Sequence, residues 1–94
     1  MVAQFAKFKI AKENWKQVLD EIQGWKKSHA HTTVGLKDLI LIRNHISGHA
    51  EVLALFEHAD ALDKFASDQV VLQVLKKVME LSGADGEMFE VEVY

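Results

Sequence analysis

Leu39-Ile40-Leu41-Ile42 and Val52-Leu53-Ala54-Leu55-Phe56 decide the fold. Both read as strands, yet neither shows a polar side, whereas a strand covered on one face only alternates apolar and polar residues. Two faces therefore need cover. Between them Ser47-Gly48 supplies a tight turn, because glycine accepts the positive φ that hairpins need. The spacing predicts strand 2 over residues 36–45 and strand 3 over residues 50–57, paired as a hairpin.

Outward from the hairpin, the periodicity changes in a regular order. Residues 2–10 read as strand 1, with Gln4, Ala6, Phe8 and Ile10 on one face and Ala3, Phe5, Lys7 and Lys9 on the other. Trp15, Val18, Leu19, Ile22 and Trp25 then follow the i, i+3, i+4, i+7, i+10 pattern of an amphipathic helix, predicted over residues 12–28. After strand 3, Asp60 is placed to cap a short helix carrying Leu62, Phe65 and Ala66. Ser67 or Asp68 starts a longer one using Val71, Val74, Leu75, Val78 and Met79, with Gly83 as its C-terminal stop. Residues 87–94 alternate cleanly as strand 4.

The order βαββαβ predicts an α+β fold of ferredoxin-like topology. Right-handed crossovers put both helices on one face of a four-stranded antiparallel sheet in the order 4-1-3-2. Strands 1 and 4 are then neighbours, and one register pairs Lys9 with Glu90, Lys7 with Glu92 and Phe5 with Tyr94. Two helices cover one sheet face only. The other would expose more Leu, Ile, Val or Phe surface than soluble monomers usually carry, so a second copy is expected to close it, giving a homodimeric α/β barrel.

Bulk properties bound the rest. The 94 residues make a single domain over 1–94, and a chain of this size buries only roughly 60–65% of its unfolded surface, so dimerisation would help it. Of the residues, 49% are hydrophobic and 27% charged, a globular composition. The net charge of −3 arises from 11 basic and 14 acidic residues scattered along the chain, which gives no footprint for nucleic acid or an anionic membrane. No cysteine is present, which excludes thiolate metal sites and a cysteine nucleophile and fits a reducing compartment. No apolar run is long enough to span a membrane, and the expected location is cytoplasmic.

The hairpin Leu41-Ile42-Arg43-Asn44-His45, the turn, Glu51 to Glu57, Asp60-Ala61-Leu62 and Phe65-Ala66 together resemble the small dimeric α/β-barrel proteins. That superfamily is related to antibiotic-biosynthesis-monooxygenase-like and stress-responsive barrel proteins. It includes cofactor-free monooxygenases, heme-degrading enzymes, polyketide cyclases and members with no known activity. The resemblance implies a ligand cavity between sheet and helices. It argues against heme, because residues 60–81 hold no histidine, and against the cyclase and stress-responsive group, because their His-Pro-x-His sequence is missing.

Candidate site residues follow from position. The topology brings His29, His31 and His58 to one edge of the domain, with His45 and His49 at the hairpin tip about 27 Å away at ~3.4 Å per residue. Three imidazoles could in principle hold zinc, but alternate spacing in a loop is a weak metal signature, and no metal is expected. His58 follows Phe56 on one strand face and is the candidate general base, looking toward the helix-covered cavity. Trp15, His29, His31, Phe56 and Phe65 are the candidate ligand contacts; Phe8, Trp25 and Phe89 are further aromatics placed to line the same space. Of the neighbours Arg43 and Asn44, one is expected to reach the cavity and the other the dimer contact. Two functions remain open. One is a homodimer that binds or acts without a cofactor on a small hydrophobic molecule, with monooxygenase-like chemistry by analogy; the other is a non-catalytic structural or regulatory dimer.

Overall fold

A computed structural model describes residues 1–82 and 86–94. β1 (Val2–Lys9) leads through a 3-10 turn (Lys12–Asn14) into α1 (Trp15–His29), and a second 3-10 turn (Ala30–Thr32) precedes the hairpin β2 (Leu36–Arg43) and β3 (His49–Phe56). Two helices, α2 (Ala59–Ser67) and α3 (Gln69–Ser82), then precede the edge strand β4 (Glu87–Glu92). The expected C-terminal stop at Gly83 lies outside the described residues. The sheet is antiparallel with the order β2-β3-β1-β4, as the crossover rule requires. No described helix is long and apolar enough to cross a membrane.

Registers sort the sheet into two faces. Leu39, Ala54 and Gln4 form one row across β2, β3 and β1, and Leu41, Val52 and Ala6 form the next, all on the side where the helices lie. α1 lays Val18, Ile22 and Trp25 on this face and α2 adds Leu62 and Phe65, with Phe56, Leu62 and Val18 the largest fully buried side chains. Trp25 meets Phe65 edge to face at 5.4 Å, and Phe65 tilts against Phe56 at 5.1 Å. Such pairs add roughly 0.5–1.5 kcal/mol each beyond their buried area. The start of α1 is tied to the end of α3 by Asn14 Nδ2, which donates to the Leu81 carbonyl at 3.1 Å.

Local chemistry sets the breaks between elements. Asp68 turns extended (ψ 132°) after α2, and its Oδ1 accepts the Val70 and Val71 backbone N–H groups at 2.9 and 3.1 Å, capping α3. Asp60 does not cap α2. It sits in the first turn, and His58 occupies the cap position with no side-chain bond to the helix. The hairpin turn is wider than a two-residue loop: Gly48 (φ +77°) closes it, while Asn44 Oδ1 accepts the Ile46 and Ser47 N–H groups. Asn44 therefore serves the turn itself.

Two details depart from the sequence reading. β1 and β4 pair Phe5 with Phe89 and Lys7 with Glu87, which reverses the face each β4 residue shares with β1. Phe5 and Phe89 rings come to 6.3 Å, so Phe89 takes the place beside Phe5 that the expected register gives to Tyr94. Second, β2 carries a bulge: Leu36 pairs with Phe56 and Asp38 with Leu55, so Lys37 is the extra residue. The bulge turns Leu36 onto the helix side, where it packs against the core, instead of leaving it beside Ile40 and Ile42.

Candidate functional site

The helix-covered face does not close completely. Ala6 and Ala54 place small side chains at the centre of the sheet, opposite the β-branched Val71, Val74 and Val78 of α3, and the space between is an apolar cavity of about 80 Å³. Phe8, Trp25 and Phe65 supply its aromatic wall, with Ile22, Leu39, Val52 and Leu75 completing the lining. This is several times the ~10–15 Å³ that one water needs. α3 faces it with the buried Val78 and the partly buried Val71, Val74 and Leu75, while Val70, Leu72 and Met79, outside the lining, are about 40% exposed.

One polar side chain reaches the lining. Gln4 sits in the floor row next to β4, and its Nε2 donates to Met88 Sδ at 3.3 Å. The surface that faces the cavity is almost wholly hydrocarbon.

A second, more polar hollow of about 270 Å³ lies between the end of α1 and the α2–α3 junction. His29, Thr32, Thr33, Lys64 and Asp68 line it together with Trp25, Phe65 and Val71. His29 is exposed, with its ring stacked on Trp25 at 6.0 Å and 14°. The Thr32 and Thr33 hydroxyls donate to the His29 carbonyl at 3.1 and 2.7 Å, which fixes the loop beside it.

The predicted site residues separate on this geometry. Phe65 lines both spaces and His29 lines the outer one. Phe56 is fully buried behind Phe65 and reaches neither. Trp15, partly buried, lies under the Arg43 guanidinium at 4.6 Å, so Arg43 is engaged at the sheet's end and does not enter the cavity. His31 and His58 are exposed and line neither space. The strand ends at Phe56, so the alternation that would have aimed His58 at the cavity stops two residues early. Phe89, expected among the lining aromatics, is on the opposite sheet face beside Phe5. Among the described residues no group of three or more His, Asp or Glu side chains is placed to hold a metal ion. Sequence reasoning missed the cavity's real determinants; the available signal was alanine on the helix-side face of two adjacent central strands.

Glu57, the residue after β3, meets Lys37 at 2.6 Å, and this hydrogen bond and its charge hold the Glu57 carboxyl below its ordinary value. At the C-terminus, the Tyr94 hydroxyl donates to Glu92 at 2.5 Å, which raises its pKa.

The sequence matches no protein-family profile and no curated protein. Solved structures do match in shape. An antibiotic biosynthesis monooxygenase superposes with a TM-score of 0.81 at 15% identity, over 100% of this chain and 99% of that one. Rv0793 from Mycobacterium tuberculosis gives 0.82 at 15% identity, covering 99% and 94%. A dimeric ferredoxin-like protein of unknown function from Jannaschia sp. CCS1 gives 0.81 at 17% identity, covering 98% of each. At these identities the likeness is one of fold, and the chain has the ferredoxin-like fold of the antibiotic-biosynthesis-monooxygenase-like proteins over nearly its whole length.

Proposed function

We propose that two copies of this chain associate through the open sheet face as a dimeric α/β barrel, and that each holds a small hydrophobic molecule in the cavity between sheet and helices. The cavity carries the binding half of this reading: an apolar space between sheet and helices walled by Phe8, Trp25 and Phe65. The open face supports the dimer, since Ile40, Leu53, Phe5 and Phe89 form an unbroken apolar row across all four strands with no helix over it. Ile40 and Phe89 are 37% and 47% exposed in the single chain, which a face-to-face partner would relieve. A dimeric neighbour of the same fold points the same way.

Binding is favoured over acid–base catalysis by the chain's own groups, because a general base must reach the proton it removes and the lining offers only Gln4. Oxygen-dependent turnover of the bound molecule is the reaction to test first, by analogy with the monooxygenase of like fold. The binding test uses xenon as the probe, because the cavity of about 80 Å³ is smaller than the ~150 Å³ one that holds benzene. It should shift the amide resonances of Ala54 and Val78 in the wild-type protein, and Ala54→Leu, which fills the floor of the cavity, should abolish those shifts while the dimer persists. An overpacked core costs roughly 1–3 kcal/mol, so the variant's fold is checked by its amide spectrum. A wild-type protein whose cavity residues respond to no apolar probe leaves the structural or regulatory dimer as the reading.

A further inference from the structure

The two hollows share a wall made of one residue from each helix: Trp25 of α1, Phe65 of α2 and Val71 of α3. Resting on the binding reading above, we propose that they are two chambers of one site, which takes an amphipathic molecule with its apolar body inside and an anionic group outside against Lys64. Size is the first argument. The inner chamber, about 80 Å³, is smaller than the ~150 Å³ cavity that holds one benzene, and the outer, about 270 Å³, also falls short of the ~300–1,000 Å³ of small-molecule sites. Taken together they enter that range.

Charge gives the head group its sign. Lys64 has no ion pair among the described residues, and His29 faces the same hollow. Asp68 is the one acid there, and its Oδ1 is committed to the Val70 and Val71 N–H groups at the start of α3, where the helix dipole offsets its charge. The Thr32 and Thr33 hydroxyl protons are taken by the His29 carbonyl, so the ammonium of Lys64 is the strongest free donor in the chamber. Across the shared wall the side chains meet through ring contacts, Trp25 on Phe65 at 5.4 Å and His29 on Trp25 at 6.0 Å.

The test adds xenon, hexanoate and hexylammonium to the full chain at low ionic strength, where an exposed lysine is least screened. Xenon should shift Ala54 and Val78 only. Hexanoate should shift these together with Thr33 and Lys64, and bind about tenfold more tightly than the ammonium probe, as a charge-assisted contact implies. Lys64→Gln, a surface change, should bring that preference to within about twofold. If xenon shifts the inner residues but the carboxylate shows no preference or leaves Thr33 and Lys64 unmoved, the two-chamber site is wrong and the cavity reading stands. If none of the probes moves Ala54 or Val78, both fall.

Discussion

Adjacent rows of the same sheet meet opposite fates. The row Leu39, Ala54, Gln4 lies under three helices, whereas Ile40, Leu53, Phe5, Phe89, one residue along each strand, is as apolar and has nothing over it. A one-residue step along a strand exchanges faces, so the contrast comes from which side the crossovers place the helices, not from composition. It teaches that apolar character on both faces of β2 and β3 is two separate signals. One specifies the fold of the chain and its cavity; the other, on the dimer proposed above, specifies what the folded chain meets.

The sharpest way to break this contrast is to truncate one residue of each face and vary protein concentration. Phe56→Ala removes a fully buried ring and should cost about 3–5 kcal/mol of unfolding free energy at any concentration. Leu53→Ala should cost less, and its effect on the denaturation midpoint should grow with protein concentration, because only the associated form buries it. Equal, concentration-independent losses would mean that the two faces do not differ in role.

Much of this was legible beforehand. The strand order, the helices' common side and a helix start at Ser67 or Asp68 follow from period, crossover handedness and cap chemistry. The β4 register was not, because alternating Lys and Glu fit more than one alignment and either Phe89 or Tyr94 can stand beside Phe5. The bulge at Lys37 leaves no mark in a run apolar at every position. The site was least legible: aromatics draw attention, while the cavity is made by what Ala6 and Ala54 lack. His58 was assigned by strand parity, and parity ended at Phe56.

A smaller effect probes how closely the covered face is seated. Gly35 has φ +80°, and a Cβ there would lie 2.5 Å from that of Ala61, so α2 approaches the start of β2 only because the residue is glycine. Gly35→Ala should destabilise by roughly 1–3 kcal/mol, part backbone strain and part clash. Adding Ala61→Gly should recover the clash component alone, a coupling that a double-mutant cycle of unfolding free energies measures. Strictly additive losses would show that the contact does not exist in solution.

The smallest effect lies at the sheet edge. Lys37 holds the Glu57 carboxyl below its ordinary 4.5, through a hydrogen bond first and its charge second. A carboxyl depressed in the folded state contributes stability that is full above the unfolded value of about 4.5, declines as pH falls below it and is gone below the folded one. Lys37→Met should return the Glu57 side-chain titration, followed by carbon-detected NMR, toward its ordinary midpoint. A midpoint that stays low would assign the shift to another group.

Association itself is measured directly by light scattering on the wild-type chain and on Leu53→Lys, which sets a charge in the middle of the open row without touching the core. The wild type should have the mass of two chains at micromolar concentration, and Leu53→Lys should have the mass of one with the same amide spectrum in the core. A wild-type chain that stays monomeric at high micromolar concentration would contradict the account, and so would a Leu53→Lys protein that remains a dimer.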